Sequence, residues 1–353
     1  MKFKNLSEKQ QHIAVMRLSA MGDVAMTVPI LRALVAQHPN VKLTVISRPF
    51  YKPFFHDIPN LTFFAFDSQR HKGFLGLFRL YQDLKPLSID AFADLHNVLR
   101  SKIVRTFFAW SGRKVAATNK GRAEKKALTR AENKIFKPLP SMFERHVKTF
   151  ETLGFSIDLS QPTFPKKQKL EPAITKLFGE KNKPWIGIAP FAQYDAKVYP
   201  LDLMLEVIQL LTQNQSYEVF LFGGGTQEIK QLHLLAKDLN HVKVVPGKIT
   251  FEQELQIISN LDVMLSMDSG NGHIAAMYGI KVVTLFGATH PYAGFQPFNQ
   301  PKENALVPDR NQFPKLPTSV YGNKKVEGYQ TAMRTISPES IVQSVKSQLT
   351  TIN

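Results

Sequence analysis

Apolar positions along the chain fall into two rhythms: short unbroken runs and longer stretches in which they recur every three or four residues. HIAVMRL (from His12), VKLTVIS (Val41), LTFFAF (Leu61), IDAFADL (Ile89) and RKVAA (Arg113) belong to the first kind. Runs this short and this rich in branched and aromatic residues predict strands. Between them, the segments from Val24, Gly73 and Val98 carry helical spacing. Strands that alternate with helices imply βαβ units and a parallel sheet.

The rhythm breaks between Asn119 and Lys137, where NKGRAEKKALTRAENKIFK is dense in basic residues; the helical pattern SMFERHVKTFETLGF follows. A proline- and lysine-rich stretch comes next, and it reads as a linker. The alternation then resumes with WIGIAP (Trp185), YEVFLFG (Tyr217), VKVV (Val242), LDVMLS (Leu261) and KVVTLFG (Lys281). The predicted organisation is α/β: a doubly wound domain over 1–160, a linker over 161–183, a second doubly wound domain over 184–335 facing the first across a cleft, and a closing helix over 336–353 that could pack back on the first domain. A chain of 353 residues suits two cores better than one.

Composition narrows the chemistry. With no cysteine, thiolate metal sites, disulfides and thiol nucleophiles are excluded. No window nears the roughly 18 consecutive apolar residues of a membrane span, and the opening MKFKNLSEKQQH has no apolar signal core, so the expectation is a soluble cytoplasmic protein. Lysine and arginine number 45 against 28 acidic residues, a formal net charge of +17 that favours anionic partners of some kind: nucleic acid, an anionic bilayer or phosphorylated substrates. The 26 phenylalanines sit at strand and helix spacing and read as core.

Four turns carry candidate chemistry. In RLSAMGDVAMTVP the strand ends near Leu18 and a helix starts near Val24, placing Gly22 and Asp23 at its N-terminus; a plain helix cap would use such an aspartate too. In SMDSGNGHIAAMYG the small residues after the strand let backbone N–H groups approach an anion at a helix start, although a satisfied turn would look the same. Lys197 in APFAQYDAKVYP is placed to neutralise a leaving group or simply to meet solvent, and FLFGGGTQEIKQ is a glycine-rich turn that does not fit G-x-G-x-x-G. No H-E-x-x-H, G-x-S-x-G or P-loop pattern occurs, so no metal site is expected.

Together these turns resemble the lipopolysaccharide heptosyltransferases, glycosyltransferase family nine. R-x-x-x-x-G-D-x-x-x-x-x-P is met by Arg17, Gly22, Asp23 and Pro29, and D-[ST]-G-x-x-H by Asp268, Ser269, Gly270 and His273. The resemblance implies a GT-B architecture of two Rossmann-like domains and an inverting, metal-independent transfer of heptose from ADP-heptose to an inner-core lipopolysaccharide hydroxyl. It implies Asp23 as general base and Lys197 as the cation on the diphosphate. Asp268, Ser269, Gly270, His273, Glu228, Ile249 and Gln193 would take the donor; Arg17, Gly22, Arg100 and Arg122 would take a lipid-anchored core oligosaccharide at the inner face of the cytoplasmic membrane. No separate cofactor and no nucleic acid are expected. Two other readings stay open: a nucleotide-sugar epimerase or hydrolase of the same fold, which would turn over donor without acceptor, and a basic nucleic-acid-binding module, which would bind unrelated duplexes with strong salt dependence.

Overall fold

In the computed structural model, which describes residues 10–350, every one of those apolar runs becomes a strand of a wholly parallel sheet. The opening segment MKFKNLSEK, read above for a signal core, lies outside the described residues. Parallel strands are covered by helices on both faces, which is why the runs are continuous rather than alternating. The chain divides into two compact units, residues 1–120 with 142–163, and residues 121–141 with 164–353.

The first unit holds β1 (Gln11–Met16), α1 (Met21–Ala25), α2 (Val28–Gln37), β2 (Val41–Ser47), β3 (Leu61–Ala65), α3 (Gly73–Leu84), β4 (Ala91–Asp94), α4 (Leu99–Trp110) and β5 (Lys114–Ala117). Strand order is β3-β2-β1-β4-β5. Its core joins Met16, Ile46, Leu80, Phe92, Val104 and Phe108, with the Phe92 and Phe108 rings stacked 4.8 Å apart. Each such side chain contributes roughly 1.5–3 kcal/mol by leaving water.

The chain then leaves this unit. Helix α5 (Arg122–Thr129) and the loop to Ser141 belong to the second unit, and only with α6 (Met142–Leu153) does the chain return to pack on β5 and β4. The excursion is fastened by specific contacts. Lys125 Nζ sits 4.0 Å over the Phe295 ring, the Arg310 guanidinium 3.5 Å over Phe136, and Leu139 N donates to Tyr292 O. Lys134, whose pKa burial and the neighbouring Arg310 push down to about 8, donates to Lys315 O and Pro317 O. Basic residues expected on the first domain are therefore partly built into the second, because aromatic faces and free carbonyls there accept them.

In the second unit, α7 (Pro172–Phe178) precedes β6 (Trp185–Ala189), α8 (Leu201–Thr212), β7 (Glu218–Leu221), α9 (Gly225–Leu235), β8 (Val242–Val244), α10 (Phe251–Ser259), β9 (Val263–Met267), α11 (Gly270–Met277), β10 (Lys281–Leu285), β11 (Ala305–Leu306) and α12 (Pro338–Thr350). The order is β11-β10-β9-β6-β7-β8, with β11 an edge strand too short to read from apolar pattern. Most of the expected linker is docked here: Ile174 and Phe178 are buried, Gln168 N donates to Ser259 Oγ, and Glu171 accepts from Gln253 and Gln256. Helix α12, expected to pack back on the first domain, belongs to this second unit and packs on α8 through Ile341, Val342 and Val345, and Tyr199 Oη donates 2.6 Å to Ile336 O just before it. An apolar stripe facing α8 decides its partner.

Candidate active site

The switch point of a doubly wound sheet, where strand order reverses, is where ligands bind beyond the carboxyl ends. In the first unit that point lies between β1 and β4. Arg17, one residue past β1, is buried and bridges it: Nε donates to Ser19 O (2.8 Å), Nη1 crosses to Leu95 O after β4 (2.6 Å), and Nη2 pairs with Asp23 Oδ2 (2.5 Å). The guanidinium of Arg17, a residue expected on the acceptor side, is bonded to these three protein oxygens. The helix begins at Met21, three residues earlier than expected, so Asp23 is its third residue and accepts from Ala20 N (3.1 Å). Asp23 therefore does part of a cap's work, yet its side chain keeps 31% of its surface open. Gly22 is buried inside the same turn.

The opposite lip is built by the DLHN sequence. Asp94, fully buried, accepts from His96 N (3.1 Å) and Asn97 N (2.6 Å) with Oδ1 and from Arg105 with Oδ2 (3.1 Å). Burial pushes its pKa up, against those bonds. Asn97 takes the left-handed conformation (φ 45°) that asparagine tolerates and turns the chain into α4. His96 is thereby held facing Ser19 Oγ at 3.5 Å, with Nδ1 buried and without a hydrogen-bond partner among the described residues. Burial first, then the Arg17 and Lys120 charges, lower its pKa to about 3, so it is a neutral imidazole at neutral pH.

In the second unit the reversal falls between β6 and β9. Lys197, in the Asp195–Lys197 turn after β6, reaches across to Asp268 after β9 with Nζ 3.2 Å from Oδ2, both side chains largely buried. The turn is pinned because Ala288 N, beyond β10, donates to Ala196 O (2.8 Å), and the lysine stem lies against Gly322, whose missing side chain (φ 83°) makes the room. Ser269 is the N-cap of α11, Gly270 opens it and His273 is buried in its first turn. Gly272 lets α11 close on β9: a Cβ there would stand 2.5 Å from Ser266 Oγ.

The remaining donor-side expectations lie on the same carboxyl edge, after β6, β7 and β8. Glu228 Oε2 accepts from Gly224 N (2.7 Å), closing the glycine turn onto α9. Ile249 is half-buried just before the Thr250 cap of α10, and Gln193 is exposed. A cavity of about 300 Å³ adjoins the Lys197 turn, lined by Ala196, Val198, Gly287, Ala288, Tyr329 and Met333. Of the expected acceptor arginines, Arg100 is exposed in the first turn of α4, whereas Arg122 stands exposed on α5 in the second unit, not the first. Among the described residues no cluster of three or more His, Cys, Asp or Glu could hold a metal ion. His96 was not singled out beforehand; its signal is a titratable side chain directly after the strand that borders β1.

Comparison with known proteins agrees with this architecture. The lipopolysaccharide core heptosyltransferase OpsX of Haemophilus influenzae is 23% identical over 355 residues, covering 96% of this chain and 97% of its own. Among solved structures, the ADP-heptose lipopolysaccharide heptosyltransferase II of E. coli superposes with a TM-score of 0.67 at 18% identity (97% and 99% of the two chains), and the E. coli heptosyltransferase WaaC with ADP-2-deoxy-2-fluoro heptose with 0.66 at 18% identity (96% and 99%). Both show the fold, GT-B with two Rossmann-like units. The model of glycosyltransferase family 9 (heptosyltransferase) matches residues 77–324, and on that match this chain belongs to family 9 and is a glycosyltransferase.

Proposed function

We propose that the chain transfers a heptose from ADP-heptose to a sugar hydroxyl of the lipopolysaccharide inner core, with inversion at the anomeric carbon. The observation that carries the reading is that each unit keeps one ionic pair at its strand-order reversal, a carboxylate held by Arg17 in the first and a cation held by Asp268 in the second. The relatives' names, heptosyltransferases of lipopolysaccharide core, and the ADP-heptose analogue bound by one structural neighbour support the substrates.

In this reading the acceptor oxygen attacks the anomeric carbon while its proton passes to Asp23, an ionised carboxylate being the ordinary state of aspartate at neutral pH. The bond from the anomeric carbon to the β-phosphate oxygen breaks, and ADP leaves with the electron pair. Lys197 meets that charge, exchanging Asp268 for the diphosphate, and the N–H groups of Ser269 and Gly270 at the positive end of α11 supplement it. His273 contacts the donor, Glu228 takes ribose hydroxyls through its uncommitted oxygen, Ile249 covers the base, and Gln193 lies beside the diphosphate. Gly22 leaves room for the acceptor; Arg100 and Arg122 attract its acidic groups. The enzyme works at the cytoplasmic face of the inner membrane.

The test is Asp23→Asn, assayed for transfer and for ADP binding by calorimetry. Transfer should fall about 10²–10⁴-fold, the usual worth of a general base, with ADP affinity unchanged. Transfer within a few-fold of the wild type would remove Asp23 from the role.

A further inference from the structure

Large apolar side chains left in water are concentrated in one place in the first unit. Phe74, Leu75 and Phe78 on α3 and Leu99 and Trp110 on α4 stand exposed, Trp110 to 80%, Leu99 to 74% and Leu75 to 71%. They form one surface, because α3 packs on α4 and the Phe107 ring between them touches Phe74 (5.7 Å), Phe78 (5.4 Å) and Trp110 (6.2 Å). On α4 the stripe Leu99, Ile103, Phe107 and Trp110 follows helical spacing, so it is a designed face rather than scatter.

The rim of this surface is cationic. Arg100, Lys102 and Lys114 are exposed on and after α4, and Lys72 and Arg79 flank the apolar positions of α3, while Arg105 is held by the buried Asp94 and Arg113 lies 3.9 Å from Asp90. Pairing with a second copy through the same patch would bring these like charges face to face. An apolar centre, a basic border and an outward tryptophan match instead the layered chemistry of a bilayer surface with anionic headgroups. Neither helix can span a membrane: twelve residues reach about 18 Å, against about 30 Å of hydrocarbon.

We propose that the α3–α4 face of the first unit docks on an anionic lipid bilayer, with Leu75, Leu99 and Trp110 entering the headgroup boundary. The docking stands on this surface alone. What rests on the transferase reading is its use: α4 starts at the carboxyl edge of β4, one turn from the Leu95 carbonyl that Arg17 holds, so an anchored acceptor would be presented beside Asp23.

The experiment is flotation of the full chain with vesicles of phosphatidylethanolamine and phosphatidylglycerol, against phosphatidylcholine vesicles, at low and high salt. Binding should favour the anionic vesicles by about tenfold or more and weaken with salt, since each basic residue near the surface counts for roughly fivefold. Trp110 emission should shift to the blue on binding; the only other tryptophan, Trp185, is fully buried in the second unit and stays silent. Leu75→Ser with Leu99→Ser, both at exposed positions, should cut binding about tenfold or more while ADP affinity is kept. Arg79→Glu with Lys114→Glu should do so without touching the apolar side chains. Equal binding to neutral vesicles, an unshifted Trp110, undiminished binding of either variant, or a dimer that the leucine variant converts to monomer would each overturn the proposal. Retained ADP binding in the variants keeps such a failure separate from a failure of the transferase reading.

Discussion

The two units solve the same problem in opposite ways. Each has a cation that spans the reversal of strand order, Arg17 between β1 and β4 and Lys197 between β6 and β9. Arg17 spreads three donors over two carbonyls and a carboxylate, so its charge is used up in holding the lip together and the partly open group is the acid. Among the described residues Lys197 pairs with one carboxylate, Asp268, which in the proposed reading it exchanges for the diphosphate. Arginine's rigid fork suits the first task, and lysine's single mobile charge the second.

Three substitutions probe that contrast. Lys197→Ala should lower kcat about 10²–10³-fold and weaken ADP binding, as loss of one preorganised donor to a developing charge does; steady-state kinetics with unchanged ADP affinity would place Lys197 outside the donor site. Arg17→Ala takes a donor from Ser19 O and from Leu95 O and removes the cation beside Asp23, and should cost about 2–4 kcal/mol in chemical denaturation. A loss under about 1 kcal/mol would show that Arg17 does not hold the lip together and break the contrast. The smallest effect concerns His96, lowered from 6.5 to about 3 by burial. Between those values only the unfolded chain takes the proton, so the stabilisation is full above about pH 6.5 and drains away as pH falls. From pH 7 to pH 5 the wild type should lose about 2 kcal/mol more than His96→Gln, measured as denaturation midpoints at the two pH values.

How much of this was visible in the residues follows from how local each signal is. The ten longer strands could be read because buried parallel strands are continuous apolar runs, and the motif turns because glycine, aspartate and serine mark strand-to-helix junctions. The two-residue β11 offers no such run. Asp23 and Asp268 were found at carboxyl edges, yet that Arg17 is consumed by Leu95 O could not be read, since Leu95 is distant in sequence and the bond depends on β4 lying beside β1. The same holds for Arg122: a basic stretch after β5 looks like part of the first domain, and only Phe295, Phe136 and Tyr292, met much later in the chain or seated by tertiary contact, reveal where it docks.

That excursion has a practical consequence. Because residues 121–141 are stitched into the second unit before α6 returns to the first, the backbone passes between units three times, after Lys120, after Ser141 and after Thr163. No single cut separates the halves. A fragment ending at residue 160 would carry α5 with its Phe295 platform missing, and one starting at residue 161 would lack the segment that covers Tyr292 and Pro317. During synthesis, α5 waits for well over a hundred further residues before its Phe295 seat exists, whereas the first unit is complete in sequence once Thr163 has been added.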